Sequence, residues 1–278
     1  MKRRLVLEFT KMHGAGNDFI IIDNRFYHFT DEELSELARQ LCPRRFGVGA
    51  DGLMALAVPQ EDADYRMRFF NADGSLAPMC GNGARCLAKF ARLSGLKKER
   101  MRFESDAGIF EVVVPEAADE QIQLVLPPPS RFIAEVPVST DIQQALGPVH
   151  YLWVGTDHAV CFVESLEQFP VHQWGERIRH DPAFGEQGTN VMFVAVEGPD
   201  TLALRSYERG VEGETLACGT GAVAAATVAR LLGLIQTNRV SVKMPGGVVW
   251  VGGLEASQEG LVLEGPVTYV FRGSLEIG

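Results

Sequence analysis

The chain of 278 residues carries 26 Lys and Arg against 36 Asp and Glu, a net charge of −10, with 46% apolar and 22% charged residues. That length fits one large domain or two ordinary ones with a real core, and the composition is that of a soluble globular protein. An acidic balance and the lack of a stripe rich in Lys or Arg argue against a phosphate-backbone partner.

The basic start Met1-Lys2-Arg3-Arg4 leads into no long apolar segment with a small-residue cleavage site, which speaks against a secretory signal. Runs of β-branched and aromatic residues bounded by Gly and Pro predict strands at residues 6–10, 19–23 and 53–58. Between them a surface helix is predicted over residues 31–41, with Thr30 as its cap and Glu33 completing a capping box. The segment Gly47-Val48-Gly49-Ala50-Asp51-Gly52 matches a dinucleotide fingerprint, but a strand follows it rather than a helix, so the phosphate-binding context is missing. The same holds for Gly14-Ala15-Gly16. A helix is expected after Cys80, with Arg85, Lys89 and Arg92 on one stripe, so that part of the helix meets solvent or the other half of the chain. Strands follow at residues 110–114 and 123–126.

Pro127-Pro128-Pro129 then breaks the chain and forms the natural linker, the alternative being a rigid loop inside one domain. Beyond it, strands are predicted at residues 152–154, 160–163, 191–196, 240–244 and 248–251. The helix after Cys218 is so evenly apolar that strands must wrap around it. Residues 216–235 could mislead a hydropathy scan, but they contain Arg230 and open on a Cys-Gly-Thr-Gly turn, as a helix buried in its own domain would.

The five cysteines, Cys42, Cys80, Cys86, Cys161 and Cys218, are odd in number and form no Cys-x-x-Cys pair, which fits free thiols in a reducing cytoplasm. The six histidines lack the spacing that zinc requires, so no metal is expected.

The chain is written twice. Set over residues 218–234, residues 80–96 show ten identities in seventeen gapless positions, among them Cys80 over Cys218, Gly81 over Gly219, Gly83 over Gly221 and Arg92 over Arg230. Upstream, Gly16-Asn17-Asp18 falls over Gly155-Thr156-Asp157, and Gly49-Ala50-Asp51 over Gly188-Thr189-Asn190. A period of half the chain implies two homologous domains facing each other rather than a solenoid.

Both repeated cysteines stand directly before Gly-x-Gly and a helix. A helix start offers unpaired N–H groups and a positive dipole end, which favour an anion such as a carboxylate. The same field favours thiolate over thiol, with values of roughly 3.5–7.5 known for cysteines so placed. Two such thiols on opposite faces of one small molecule supply the base and the acid that inversion of a stereocentre needs, while the amides stabilise charge spreading onto the carboxylate. For one cysteine alone, burial without chemistry would be the simpler account. Duplication of the whole turn favours catalysis, and Cys42, Cys86 and Cys161 lack the motif.

The segments Lys11-Met12-His13-Gly14-Ala15-Gly16-Asn17-Asp18-Phe19, Asn71-Ala72-Asp73-Gly74-Ser75 and Met79-Cys80-Gly81-Asn82-Gly83-Ala84-Arg85-Cys86 resemble those of the diaminopimelate epimerases. So do Gly188-Thr189-Asn190 and Glu208-Arg209-Gly210, followed by Glu214-Thr215-Leu216-Ala217-Cys218-Gly219-Thr220-Gly221. The resemblance implies an α/β fold of the α+β kind, in two pseudo-symmetric homologous domains, each a curled, mostly antiparallel sheet around a central helix. Residues 1–126 with 265–278 would form one and residues 127–264 the other, with the active site in the cleft between them. It further implies interconversion of LL- and meso-diaminopimelate for lysine and peptidoglycan synthesis. Cys218 would take the Cα proton of the LL isomer and Cys80 would return one. Gly81, Asn82, Gly219 and Thr220 would bind the reacting carboxylate, and Asn17, Asn71, Asn190 and Arg209 would contact the polar ends. Glu208 and His158 would tune the thiols or hold the ammonium. No cofactor, nucleic acid or membrane is implied, and a homodimer stays open.

The chain departs from the family at Thr156-Asp157-His158, where a Pro-His pair is common, and at Gly52, where a glutamine lies near the substrate. Two other functions compete: a racemase of the same superfamily acting on histidine, proline or hydroxyproline, and a binding protein whose cysteines are structural.

Overall fold

The computed structural model describes residues 5–116, 121–254 and 260–278, and the basic residues 1–4 fall outside it. The chain divides into two compact units, Met1–Leu124 with Gly265–Gly278, and Val125–Glu264.

The first unit contains β1 (Leu5–Gly14), β2 (Asn17–Asp23), α1 (Asn24–Tyr27), α2 (Asp31–Leu41), β3 (Gly52–Ala57), β4 (Tyr65–Asn71), β5 (Leu76–Ala77), α3 (Gly81–Leu93), β6 (Arg100–Ser105) and β7 (Gly108–Val113). Strand β8 (Gln121–Leu126) carries the chain into the second unit. There follow β9 (Ser130–Ile133), α4 (Thr140–Leu146), β10 (Val149–Trp153), β11 (Asp157–Phe162), α5 (Val171–Arg179), a single 3-10 turn, β12 (Asn190–Gly198), β13 (Thr201–Glu208), β14 (Gly213–Thr215), α6 (Gly219–Leu231), β15 (Arg239–Met244) and β16 (Gly247–Gly252). Strand β17 (Leu261–Pro266) leads back, and β18 (Thr268–Ile277) completes the first unit.

The two units pair their strands in the same way. In the first, β1 lies antiparallel to β18 and β2, β2 parallel to β3, β3 antiparallel to β4, and β4 antiparallel to β5 but parallel to β6. In the second, β10 takes the place of β1, and β9, β11, β12, β13, β14 and β15 follow with the same senses. Each parallel joint needs a crossover, and the crossovers carry the helices. Helix α2 fills the first crossover of one unit and α5 that of the other, while α3 and α6, thirteen residues each, fill the second.

Alternation along the strands explains why their sequences are apolar on both faces. Ile20, Ile22, Leu53 and Ala55 pack with Leu34, Leu37, Ala38 and Leu41 of α2. Phe19 and Met54, one residue out of phase, turn instead toward α3 and close on Gly83. In the second unit Val191 and Phe193 pack with Val171 and Ile178 of α5, whereas Met192 closes on Gly221 of α6.

All ten predicted strands overlap observed ones, overrunning by one residue at Val58, Val114, Val154 and Val163. Helix α2 has the predicted bounds, and its capping box is complete: the Thr30 hydroxyl accepts from the Glu33 N–H, and the Glu33 carboxylate from the Thr30 N–H. The stripe on α3 is open to solvent in part, as expected, but at one residue alone. Arg85 is 0% and Lys89 8% exposed, and only Arg92 is partly open. A charged side chain this deep needs local acceptors, which Arg85 finds in Gly81 and Asn82 of its own helix start. Among the described residues no helix is long and apolar enough to cross a membrane.

Candidate active site

Cys80 and Cys218 occupy the N-cap positions of α3 and α6 in extended backbone, and neither makes a side-chain cap hydrogen bond. Ser, Thr, Asp or Asn would stabilise a helix start better, by about 1 kcal/mol, so helix stability does not account for cysteine at both places. The first intrahelical bonds run from Ala84 N to Cys80 O and from Ala222 N to Cys218 O. The N–H groups of Gly81, Asn82, Gly219 and Thr220 therefore precede the helical ladder, as donors suited to an anion.

In the first unit the Cys80 thiol is half-buried and lies 3.5 Å from Asn17 Oδ1, which also accepts from Asn82 Nδ2 at 3.3 Å. The direction of this chain is set at both ends. Arg85 can only donate and does so to Asn82 Oδ1 at 2.8 Å, while Asp51 accepts from Asn17 Nδ2 at 2.7 Å. Asn17 thus turns its carbonyl oxygen to the thiol. Behind it, Lys11 and Arg44 bind Asp18, each at 2.7 Å. Burial pushes the Asp18 carboxyl upward, but Arg44 and Lys11 more than reverse this and hold it well below the carboxylate range. Asn71, at the end of β4, gives its Nδ2 to Ser75 Oγ at 2.9 Å and shapes the turn into β5.

In the second unit Cys218 is 5% exposed. Burial first, and the Glu208 charge second, raise its thiol well above the ordinary value, while the Gly221 N–H and the Thr220 hydroxyl pull the other way. The helix start alone implied a lowered thiol, and desolvation outweighs it. Glu208 is itself pushed up by burial, and its carboxylate accepts from the Thr215 hydroxyl and the Cys218 thiol. His158 is fully buried, with no partner for either ring nitrogen among the described residues. Burial lowers its pKa to about 3, so the ring is neutral at ordinary pH.

Asn190 ties two segments together, accepting from the Arg209 N–H and donating to Asp157 O, each at 3.0 Å. Arg209 Nη1 binds Asp157 Oδ2 at 3.1 Å and Gly188 O at 3.2 Å, and its Nη2 binds Thr156 Oγ1 at 2.8 Å. Tyr151 fixes Asp157 from behind, donating to Oδ1 at 2.7 Å. A cavity of about 250 Å³ opens against Asp157, Tyr151 and Gly188, walled by Ile133, Val136 and Phe184.

The first unit therefore groups Asn17, Gly81 and Asn82 around Cys80, and the second groups Glu208, Gly219 and Thr220 around Cys218. Asn190 and Arg209 form a neighbouring cluster with Asp157. Sequence reasoning passed over Arg85, Asp51, Thr215 and Tyr151, which orient these groups. Asp51 lay within a repeated triplet, and Arg85 and Thr215 within the two cysteine motifs, though without a role; nothing in the sequence marked Tyr151.

A family model described as diaminopimelate epimerase matches residues 9–128 and 151–270. The diaminopimelate epimerase of Chlorobaculum tepidum is 40% identical over 96% of this chain and 100% of its own. That of Methanothrix thermoacetophila is 44% identical over 96% and 95%. Among solved structures, a phenazine biosynthesis protein of Bacillus anthracis shares the fold with a TM-score of 0.74 at 17% identity, over 98% of this chain and 100% of that one.

Proposed function

The chain belongs to the diaminopimelate epimerase family, and we propose that it interconverts LL- and meso-diaminopimelate by proton transfer between two thiols. The observation that carries this is the duplicated helix start: each of two homologous units presents one cysteine, Cys80 or Cys218, beside N–H groups that precede the helical ladder.

In the LL-to-meso direction the Cys218 thiolate takes the Cα proton, and the electron pair left on carbon takes a proton from the Cys80 thiol on the opposite face. One S–H bond forms as another breaks, so the pair of sulfurs ends with the charge it began with, and the roles exchange in reverse. Burial and the Glu208 carboxylate make Cys218 a strong base once deprotonated, as abstraction of a weakly acidic proton demands. The amides of Gly81, Asn82, Gly219 and Thr220 would hold the reacting carboxylate as charge spreads onto it. Asn17, Asn190 and Arg209 would contact the substrate's polar groups. Asn71 joins them in this scheme although its amide already serves the β4–β5 turn. His158, being neutral, would act by shape and dipole rather than charge.

This scheme draws one thiol from each of the two homologous halves, residues 1–126 with 265–278 and residues 127–264, and needs no cofactor or metal. It also places the enzyme in a reducing cytoplasm, as monomer or homodimer. The test is incubation of reduced protein with LL-diaminopimelate in deuterated water. Deuterium at Cα together with meso product is expected. Absence of both overturns the proposal, and labelling of histidine, proline or hydroxyproline instead would reassign the substrate.

A further inference from the structure

Arg85 is a full positive charge at 0% exposure. It reaches back along its own helix, giving Nη1 to Gly81 O at 3.4 Å and Nη2 to Asn82 Oδ1 at 2.8 Å. Both acceptors are neutral. Among the described residues its buried Nε–H has no partner, and no carboxylate pairs with the guanidinium. A guanidinium keeps its proton inside a protein, so a charge this deep calls for a negative group close by.

The groups whose charge acts on Arg85 are two thiols, Cys86 and Cys80. Burial pushes the Cys86 thiol up to about 12, so Cys86 is neutral at ordinary pH. That leaves Cys80, the half-buried N-cap of the same helix. One side chain lies between them: Asn82 accepts from Arg85 and donates to Asn17 Oδ1, which faces the Cys80 sulfur at 3.5 Å. The charges behind Asn17 balance, with Asp51 and Asp18 bound by Arg44 and Lys11. Lys89, a turn further along α3, acts on Cys86. In the second unit the repeat breaks at this residue. Val223 stands where Arg85 does, and the charged group beside Cys218 is the Glu208 carboxylate.

We infer that Arg85 is the counter-charge of a Cys80 thiolate, so that in the free protein the negative charge rests on Cys80 and the proton on Cys218. This rests on the function proposed above, which needs one thiolate and one thiol, and it settles which is which before substrate binds. The free protein then stands ready for the meso isomer. The LL isomer requires the other form, in which one proton has passed from Cys218 to Cys80, where Asn17 Oδ1 accepts it.

The experiment follows iodoacetamide alkylation of the reduced, full-length protein against pH, with peptide mapping to separate the thiols, and uses no substrate. Cys80 is expected to reach half its limiting rate about one pH unit or more below Cys218. Arg85→Met keeps the bulk and removes the charge. It should raise the Cys80 midpoint by about one pH unit or more and leave that of Cys218 in place. Arg85→Lys, which keeps a charge, should bring the Cys80 midpoint back toward the wild type, a rescue that a purely structural role does not give. Melting curves establish that the variants are folded, and if Arg85→Met does not fold, the order of the two midpoints in the wild type decides. A wild-type Cys80 midpoint at or above that of Cys218, or one that Arg85→Met leaves unmoved, overturns the inference and leaves the proposed function standing. The deuteration assay tests that function separately, since the alkylation midpoints do not depend on turnover.

Discussion

A Cβ built on Gly83 would fall 1.6 Å from Met54 Cε, 2.7 Å from Met54 Sδ and 3.3 Å from Phe19 Cζ. The methionine occupies the place where any other residue's side chain would begin. Met54 and Phe19 are both 0% exposed, so neither can swing out to make room. Gly83→Ala must displace a packed thioether, and overpacking of this severity lies at the upper end of the range of about 1–3 kcal/mol. Losing a glycine returns about 0.5–1 kcal/mol to the helix, leaving a net cost of about 2 kcal/mol. For a unit of this size that lowers the melting temperature by about 4–8 °C. The decisive step is to repeat the change on Met54→Ala, which costs about 2–5 kcal/mol by itself through the cavity it leaves. There the methionine no longer stands in the way, only the edge of the Phe19 ring at 3.3 Å must give slightly, and the helix gain remains, so Gly83→Ala should stabilise. Calorimetric melting of the four proteins measures this reversal of sign. Additive effects, or a Gly83→Ala variant melting with the wild type, would refute the packing described. Gly221→Ala should behave likewise against Met192, whose Sδ lies 2.2 Å from the built Cβ, and should also disturb Cys218, whose Sγ lies 3.0 Å away.

Cys80→Ser and Cys218→Ser should each abolish epimerisation, while the Cys86→Ser variant keeps it. Serine is a good N-cap, so melting of the Cys80 variant should not fall, and full activity in either of the first two would end the two-thiol scheme. Glu208→Gln removes the charge that, after burial, most raises the Cys218 thiol. Its folded value should drop, so alkylation of Cys218 by iodoacetamide, followed by peptide mapping, should set in at lower pH than in the wild type. An unchanged or upward shift contradicts this. Thr30→Ala removes the hydroxyl that accepts from Glu33 N at 3.3 Å and should lower stability by about 1 kcal/mol, read as a melting shift of about 2–4 °C. Glu33→Gln, which keeps the box, should melt close to the wild type, and equal losses from both changes would refute the capping account.

The sequence made the duplication visible because a Cys-Gly-x-Gly turn tolerates so few alternatives that seventeen positions still align. The strands were legible where both faces are apolar, as at Ile20–Ile22 and Val191–Val194, since such runs suit few other structures. Helix α5 and strand β18 were not. Helix α5 buries only Val171, Gly175, Ile178 and Arg179, and β18 is exposed along most of its length, so neither carries a strong periodic signal. The depth of Arg85 was not legible either, for a different reason. A charge on a helix stripe normally marks solvent, and its acceptors, Gly81 O and Asn82 Oδ1, become visible only when the turn has been built. The thiols themselves were found, but not their electrostatics: a helix start is legible, and the depth at which Cys218 sits is a product of packing that no local pattern encodes.

Strand β18 pairs with β1 from Leu5↔Ile277 to His13↔Thr268, joining the beginning of the first unit to residues that lie beyond the whole of the second. During synthesis, β1 therefore emerges long before its neighbour exists, whereas residues 125–264 of the second unit are delivered without interruption. The second unit has all its parts on leaving the ribosome, while the first holds an open strand edge that β2 covers on one side alone until the last stretch arrives. One half of the molecule can be finished while the other is still waiting.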